Sequence, residues 1–253
     1  MKNAFHGFIL AVQFLTRLPV PIEAPWNAVS SRWAVRMYPL TGILIGVLPA
    51  LFVWLQLPVS LFMQSVIIVT FFVWMSGGLH LDGWMDTFDA VGANVSLEKK
   101  WAIMKDPHVG SFGILALVFL LGWKTLLIYE LLSSGVSPWF FLLIPAAARW
   151  TAVYLLTEVP AAKPQGLAWS WQQHVTKKDL GLSLLPVLLL LPAAGTALFL
   201  WTAVFTGMFV IFYRSWILRH FHGVSGDLAG ASIEGGELWA LTAVWIFISF
   251  VTV

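Results

Sequence analysis

The chain has 253 residues, 59% hydrophobic and only 10% charged, with a net charge of +2. Soluble domains carry roughly 25% charged residues and keep much of their surface in water. A mean hydropathy of +0.85 therefore excludes a soluble globular protein and makes the bilayer the solvent. There is no cysteine, which excludes disulfides and thiolate metal sites. The small net charge leaves no electrostatic footprint for nucleic acid.

The composition predicts an all-α fold, a polytopic bundle of about 7 membrane helices forming one domain over 1–253. Residues 1–35 include "FHGFILAVQFLTRLPV". Arg17 and the lack of a small-residue cleavage site argue against a signal peptide, so this segment reads as amphipathic and interfacial. Spans are expected near 36–56, 59–79, 112–132, 138–158, 177–194, 197–217 and 237–253. The run "LLPVLLLLPAAGTALFLW" is too long for one span, and "PAAG" at 192–195 is the turn that divides it. Fifteen tryptophans suit the two membrane interfaces.

Lys and Arg cluster before the first span, at about 80–111, at 159–178 and at 214–236, whereas the short intervening connections carry none. By the positive-inside rule the N-terminus and the three long loops face the cytoplasm, and seven spans would put the C-terminus outside.

The 80–111 segment opens with "GGLHLDGWMDTFDA". Asp82, Asp86 and Asp89 follow i, i+4, i+7 spacing and share one helix face. Asp82 reads as the N-cap. Like charges on one face repel, more strongly as the dielectric falls, and no basic residue stands three or four positions after any of the three. A divalent cation such as Mg²⁺, which takes carboxylate oxygens and substrate phosphates, would offset the repulsion. The bland reading is a solvated acidic face meeting a helix dipole. His80 reads either as a ligand or as a hydrogen-bonded structural histidine.

Two further polar segments fall on the same side. "IMKDPHVGSFG" holds Lys105, Asp106, His108, Gly110, Ser111 and Gly113. Its spacing is not that of a P-loop, but a Gly/Ser turn before a helix offers free backbone N–H groups to an anion, and Lys105 adds a point charge. "GVSGDLAGASIEGGE" holds Asp227, Glu234 and Glu237, and Asp227 and Glu234 share a face if it is helical. Arg149, deep in the fourth span, reads as an anion site or as a buried pair with Glu130 or Glu158. Lys124 has no assigned role. Carboxylates for a metal beside basic groups suit phosphoryl transfer.

These three segments, with the early "QFLTRLPVP" and "YPLTGILIG", resemble the cobalamin synthase family, adenosylcobinamide-GDP ribazoletransferase, in matching order over nearly the whole chain. The resemblance implies a Mg²⁺-dependent transferase of the bacterial inner membrane, acting late in vitamin B12 assembly. Such an enzyme joins adenosylcobinamide-GDP to α-ribazole or its 5′-phosphate and releases GMP. It works among membrane lipid, with other cobalamin-assembly enzymes as potential partners and an oligomer allowed. On that reading Asp82, Asp86 and Asp89 bind Mg²⁺, Lys105 stabilises phosphate charge, and Asp89 or Asp227 is the general base. Substrate contacts would come from His80, Asp106, His108, Gly110, Ser111, Arg149 and Glu234. This chain reads "WMDTFDA" where relatives more often read like "LADTADG", which keeps the aspartates and alters the packing around Trp84, Phe88 and Ala90. Two rivals are a transporter, given intramembrane Lys124 and Arg149, and a CDP-alcohol phosphotransferase. The latter's motif would place Ala-Arg where this chain has Met85-Asp86.

Overall fold

The computed structural model describes residues 2–250, and its regular structure there is helical. In chain order the helices are α1 (Lys2–Leu15), α2 (Ala28–Trp54), α3 (Leu61–Ser76), α4 (Leu79–Gly92), α5 (Leu97–Ile103) and α6 (Ser111–Ser133). There follow α7 (Phe140–Glu158), α8 (Leu167–Gln172), α9 (Lys177–Leu188), α10 (Leu191–Ala194), α11 (Thr196–Phe221) and α12 (Gly226–Phe250). Five of them, α2, α6, α7, α11 and α12, are long and apolar enough to cross a membrane. Helices α3 and α4 qualify only as a pair bent by 91°, which would make a sixth crossing. Phe119, Ile211 and Phe212 are exposed on α6 and α11, as lipid-facing side chains are.

The membrane bundle is as expected, with five or six qualifying helices where about seven were expected, and its boundaries differ in three places. The first span begins at Ala28, because Asn27 caps it: its Oδ1 accepts from the Val29 and Ser30 amides, and the Ser30 hydroxyl accepts from the Asn27 amide. Residues 28–35 thus belong to α2, and α1 packs on α2, burying Leu10, Ala11 and Leu15. The span expected at 177–194 is two short helices instead. Lys177, Lys178 and Asp179 fill the first turn of α9, and buried Asp179 accepts from Arg36 of α2 at 2.6 Å. Alone, its 12 residues are fewer than the roughly 20 a crossing needs, and a turn at 189–190 separates it from α10. The turn expected at 192–195 does occur, at Gly195 with φ 79°. Finally, the last helix starts at Gly226, so the acidic third segment is helical from there on, with Asp227, Glu234 and Glu237 all on α12. The expected end of that span, 251–253, lies outside the described residues.

Helices α2 and α7 cross closely. A Cβ on Gly42 or Gly46 would overlap the carbonyls of Pro145 and Phe141, so glycine there lets the backbones meet, as small residues do between membrane helices. Deeper in the bundle α6, α7 and α12 are joined by charge. Lys124 of α6 donates to Glu234 and, at 2.7 Å, to Glu237, both on α12, and Arg149 of α7 donates to Glu237. All four residues are buried. The partner of Arg149 is therefore Glu237, not Glu130 or Glu158. Glu158 pairs at 3.1 Å with Lys177.

The quartet contains two cations and two anions, so it is neutral as a unit. Removing one member leaves a buried charge without compensation, at a cost on the order of 3–5 kcal/mol. Glu237→Ala is accordingly expected to lower the unfolding temperature of the purified protein in detergent sharply. A variant replacing Lys124, Arg149, Glu234 and Glu237 together with apolar residues of similar size should lose less. An unchanged unfolding temperature in Glu237→Ala would show that the quartet does not hold the three helices.

Candidate active site

The acidic segment is positioned by a glycine hinge. Helix α3 ends on Gly77 and α4 starts from Gly78, with φ values of 64° and 76°. Two successive left-handed residues turn the chain sharply, and glycine adopts them without strain. The N-cap of α4 is thus Gly78, and Asp82 lies in the first turn, its amide donating to the Gly78 carbonyl.

The three aspartates do share a face, but their surroundings grade along it. Asp82 is exposed, Asp86 half-buried and Asp89 buried. Asp89 spends both oxygens on the start of α6, where the Gly110 and Gly113 amides each donate to it at 2.8 Å. The free N–H groups expected to receive a substrate anion therefore receive a protein carboxylate. Gly110 and Gly113 are also tight positions, since a Cβ on either would overlap the Asp89 carboxylate.

The turn of α4 between Asp82 and Asp86 meets the third segment directly. Gly83, between them, packs on the backbone of Asp227, where a Cβ would lie 2.6 Å from its carbonyl oxygen. The charges of Asp82, Asp227 and Asp89 all bear on Asp86. Among the described residues, none of Asp82, Asp86 and Asp227 has an ion-pair partner.

Asp227 also lines a cleft of about 380 Å³, whose walls include Trp101, Lys105, Lys163, Gln165 and Ser225. The loop carrying Lys163 is fixed there by backbone pairing: the Ala162 amide donates to Val224 at 3.0 Å, and the Val224 amide to Pro160 at 2.9 Å. Lys163 lies over the Trp101 ring, 4.6 Å from its centroid. Burial, and then the ammonium of Lys105, lower the Lys163 pKa. Two ammonium groups close enough to act on each other, facing a carboxylate across a cleft, form a seat for an anion that carries its own cation.

The other expected contacts divide between surface and core. Asp106 and His108 are exposed and bind each other, the ring Nδ1 lying 2.7 Å from the carboxylate. The backbone amide and ring of His108 hold the Asp106 carboxyl below the usual range. Ser111 is exposed at the first turn of α6. Glu234 and Arg149 belong to the buried quartet and do not line the cleft. His80 is buried and lines a second cavity, of about 90 Å³, that shares Leu167, Ala168, Gly226 and Asp227 with the larger cleft. Lys163 was legible in the sequence only as a loop charge, because its approach to Lys105 depends on the pairing around Val224.

Fold and site together define a polytopic helical membrane protein with a carboxylate face and a lysine pair at one end of the bundle, the equipment of a phosphate-group transferase. A family model described as cobalamin-5-phosphate synthase matches residues 7–245, and the chain belongs to that family. It is 38% identical to an adenosylcobinamide-GDP ribazoletransferase of Halalkalibacterium halodurans, with 100% of both chains covered. It is 36% identical to the protein of that name from Geobacillus kaustophilus, over 99% of each chain, and 36% identical to that of Thiobacillus denitrificans, over 93% of each. No solved structure matches.

Asp89 is placed to organise the site. Asp89→Ala should free the first turn of α6 and lower the unfolding temperature by the equivalent of about 1–2 kcal/mol, the worth of a helix cap. Asp89→Asn, which keeps one acceptor, should lose less. Equal stability of both variants with the parent protein would remove the capping role.

Proposed function

We propose that this protein joins adenosylcobinamide-GDP to α-ribazole or its 5′-phosphate, with release of GMP, at the cytoplasmic face of the bacterial inner membrane and with Mg²⁺. The observation that carries the reading is the meeting of three separate segments: Asp82 and Asp86 beside Asp227, and Asp227 across the cleft from Lys105 and Lys163.

Among the described residues no three His, Asp or Glu side chains converge closely enough to hold a metal by themselves. That suits Mg²⁺, which commonly takes one or two carboxylates and completes its shell with water and substrate phosphates. Asp82 and Asp86 would hold it, with Asp89 turned to the α6 amides. Mg²⁺, when bound, neutralises charge on the diphosphate oxygens.

The protein residues then have distinct tasks. Lys105 and Lys163 take the phosphate charge that grows on departing GMP. Asp227, exposed at the start of α12, accepts the proton of the ribazole ribose hydroxyl as that oxygen bonds to the phosphorus on the cobinamide side. The bond from that phosphorus to GMP breaks. The intramembrane cations Lys124 and Arg149, which a transporter would present to a pathway, are spent in the quartet.

GMP release should therefore stop when Mg²⁺ is chelated. Asp82→Asn, Asp86→Asn and Asp227→Asn should each lower it by about 10²–10⁴-fold, while elution from a sizing column stays unchanged. Full activity in Asp82→Asn or Asp86→Asn would remove the metal assignment, and full activity in Asp227→Asn would remove the base.

A further inference from the structure

The smaller cavity next to the cleft is lined by Phe14, Tyr38, His80, Trp171, Gly230 and Ile233, besides the wall it shares with the cleft. Trp171 organises it. The ring of Phe14 meets Trp171 edge-on at 5.3 Å between centroids, and Tyr38 meets it edge-on at 5.9 Å. Among these aromatic and aliphatic walls His80 is 3% exposed and turns its Cδ2 edge toward Gly230, so the lining it offers there is carbon.

Resting on the transferase reading above, we infer that this cavity holds the benzimidazole ring of α-ribazole, packed against the His80 ring and Gly230. The walls suit a planar, uncharged, mostly apolar ring, which gains from edge-to-face contact with Trp171 and its neighbours. They suit guanine poorly. Guanine carries several donors and acceptors along its edges, and burying them against apolar walls would leave them unpaired. The guanosine of the other substrate therefore belongs in the larger cleft, on the side of Lys105 and Lys163.

The geometry also links the ring to the chemistry. Gly230 lies three residues after Asp227 on α12, about 4.5 Å along the helix axis. A ring against Gly230 and His80 thus puts its attached ribose beside Asp227, the residue that takes the hydroxyl proton. The absent side chain at Gly230 leaves room for the ring. A Cβ there would sit 3.4 Å from the backbone of His80, an ordinary contact, so alanine fits the fold while narrowing the cavity.

The test compares wild type, Gly230→Ala and His80→Gln by equilibrium dialysis with labelled α-ribazole, and by GMP release at varied adenosylcobinamide-GDP. Both variants should bind α-ribazole roughly tenfold more weakly, the worth of a lost ring contact or one misplaced methyl. Their KM for adenosylcobinamide-GDP should stay unchanged. Binding of α-ribazole that neither variant weakens overturns the pocket assignment, even where GMP release by wild type upholds the transferase reading. A KM that rises for adenosylcobinamide-GDP in place of α-ribazole overturns it too. Failure of the wild type both to bind α-ribazole and to release GMP overturns both.

Discussion

Four charges in the interior of a membrane bundle are tolerated only if they cancel, and that constraint sets the core of this protein. Lys124, Arg149, Glu234 and Glu237 come from three helices, and Glu237 touches both cations. A charge in a low-dielectric interior is expensive alone. The three helices can therefore assemble only in the register that pairs all four. Helix α12 is the shared member. Its outer end carries Asp227 two turns before Glu234, so the register that neutralises the core also sets the position of Asp227 at the surface.

A second carboxylate does comparable work at the membrane edge. Asp89 receives the Gly110 and Gly113 amides and so ties the end of α4 to the start of α6. The hinge at Gly77 and Gly78 aims α4, Asp89 anchors its far end, and Gly83 brings its middle onto Asp227. With both ends of α4 fixed, Asp82 and Asp86 have little freedom relative to Asp227. The strongly apolar chain thus uses its few acids in two ways. Those within the bundle or at its seams are paired or capped, whereas Asp82 and Asp86 of α4 and the neighbouring Asp227 of α12 are left without a protein cation.

Much of this was legible in the sequence. The membrane class followed from composition, and the acidic face followed from i, i+4, i+7 spacing. The grouping of three polar segments followed from the distribution of lysine and arginine. What was not legible depended on partners distant in the chain. Spacing alone cannot separate a carboxylate bound for a metal from one that caps a helix 21 residues later, as Asp89 caps through Gly110. Glu130 and Glu158 are the acids near Arg149 in sequence, yet its partner Glu237 lies 88 residues away. The pair Lys105 and Lys163 was hidden for the same reason. The fifth expected span is two short helices in place of one, because hydropathy registers "LLPVLLLLP" but not the turn at 189–190 that breaks it.

The central claim is that Asp82 and Asp86 face the diphosphate of the substrate across from Lys105 and Lys163, while Asp89 stays on α6. A cryo-EM structure in lipid nanodiscs with Mg²⁺ and adenosylcobinamide-GDP tests it most directly. The account predicts cation density against the Asp82 and Asp86 carboxylates, diphosphate density reaching the two lysines, and Asp89 still bonded to the Gly110 and Gly113 amides. Diphosphate bound away from this cleft, or Asp89 released from α6 to ligate the cation, would contradict it.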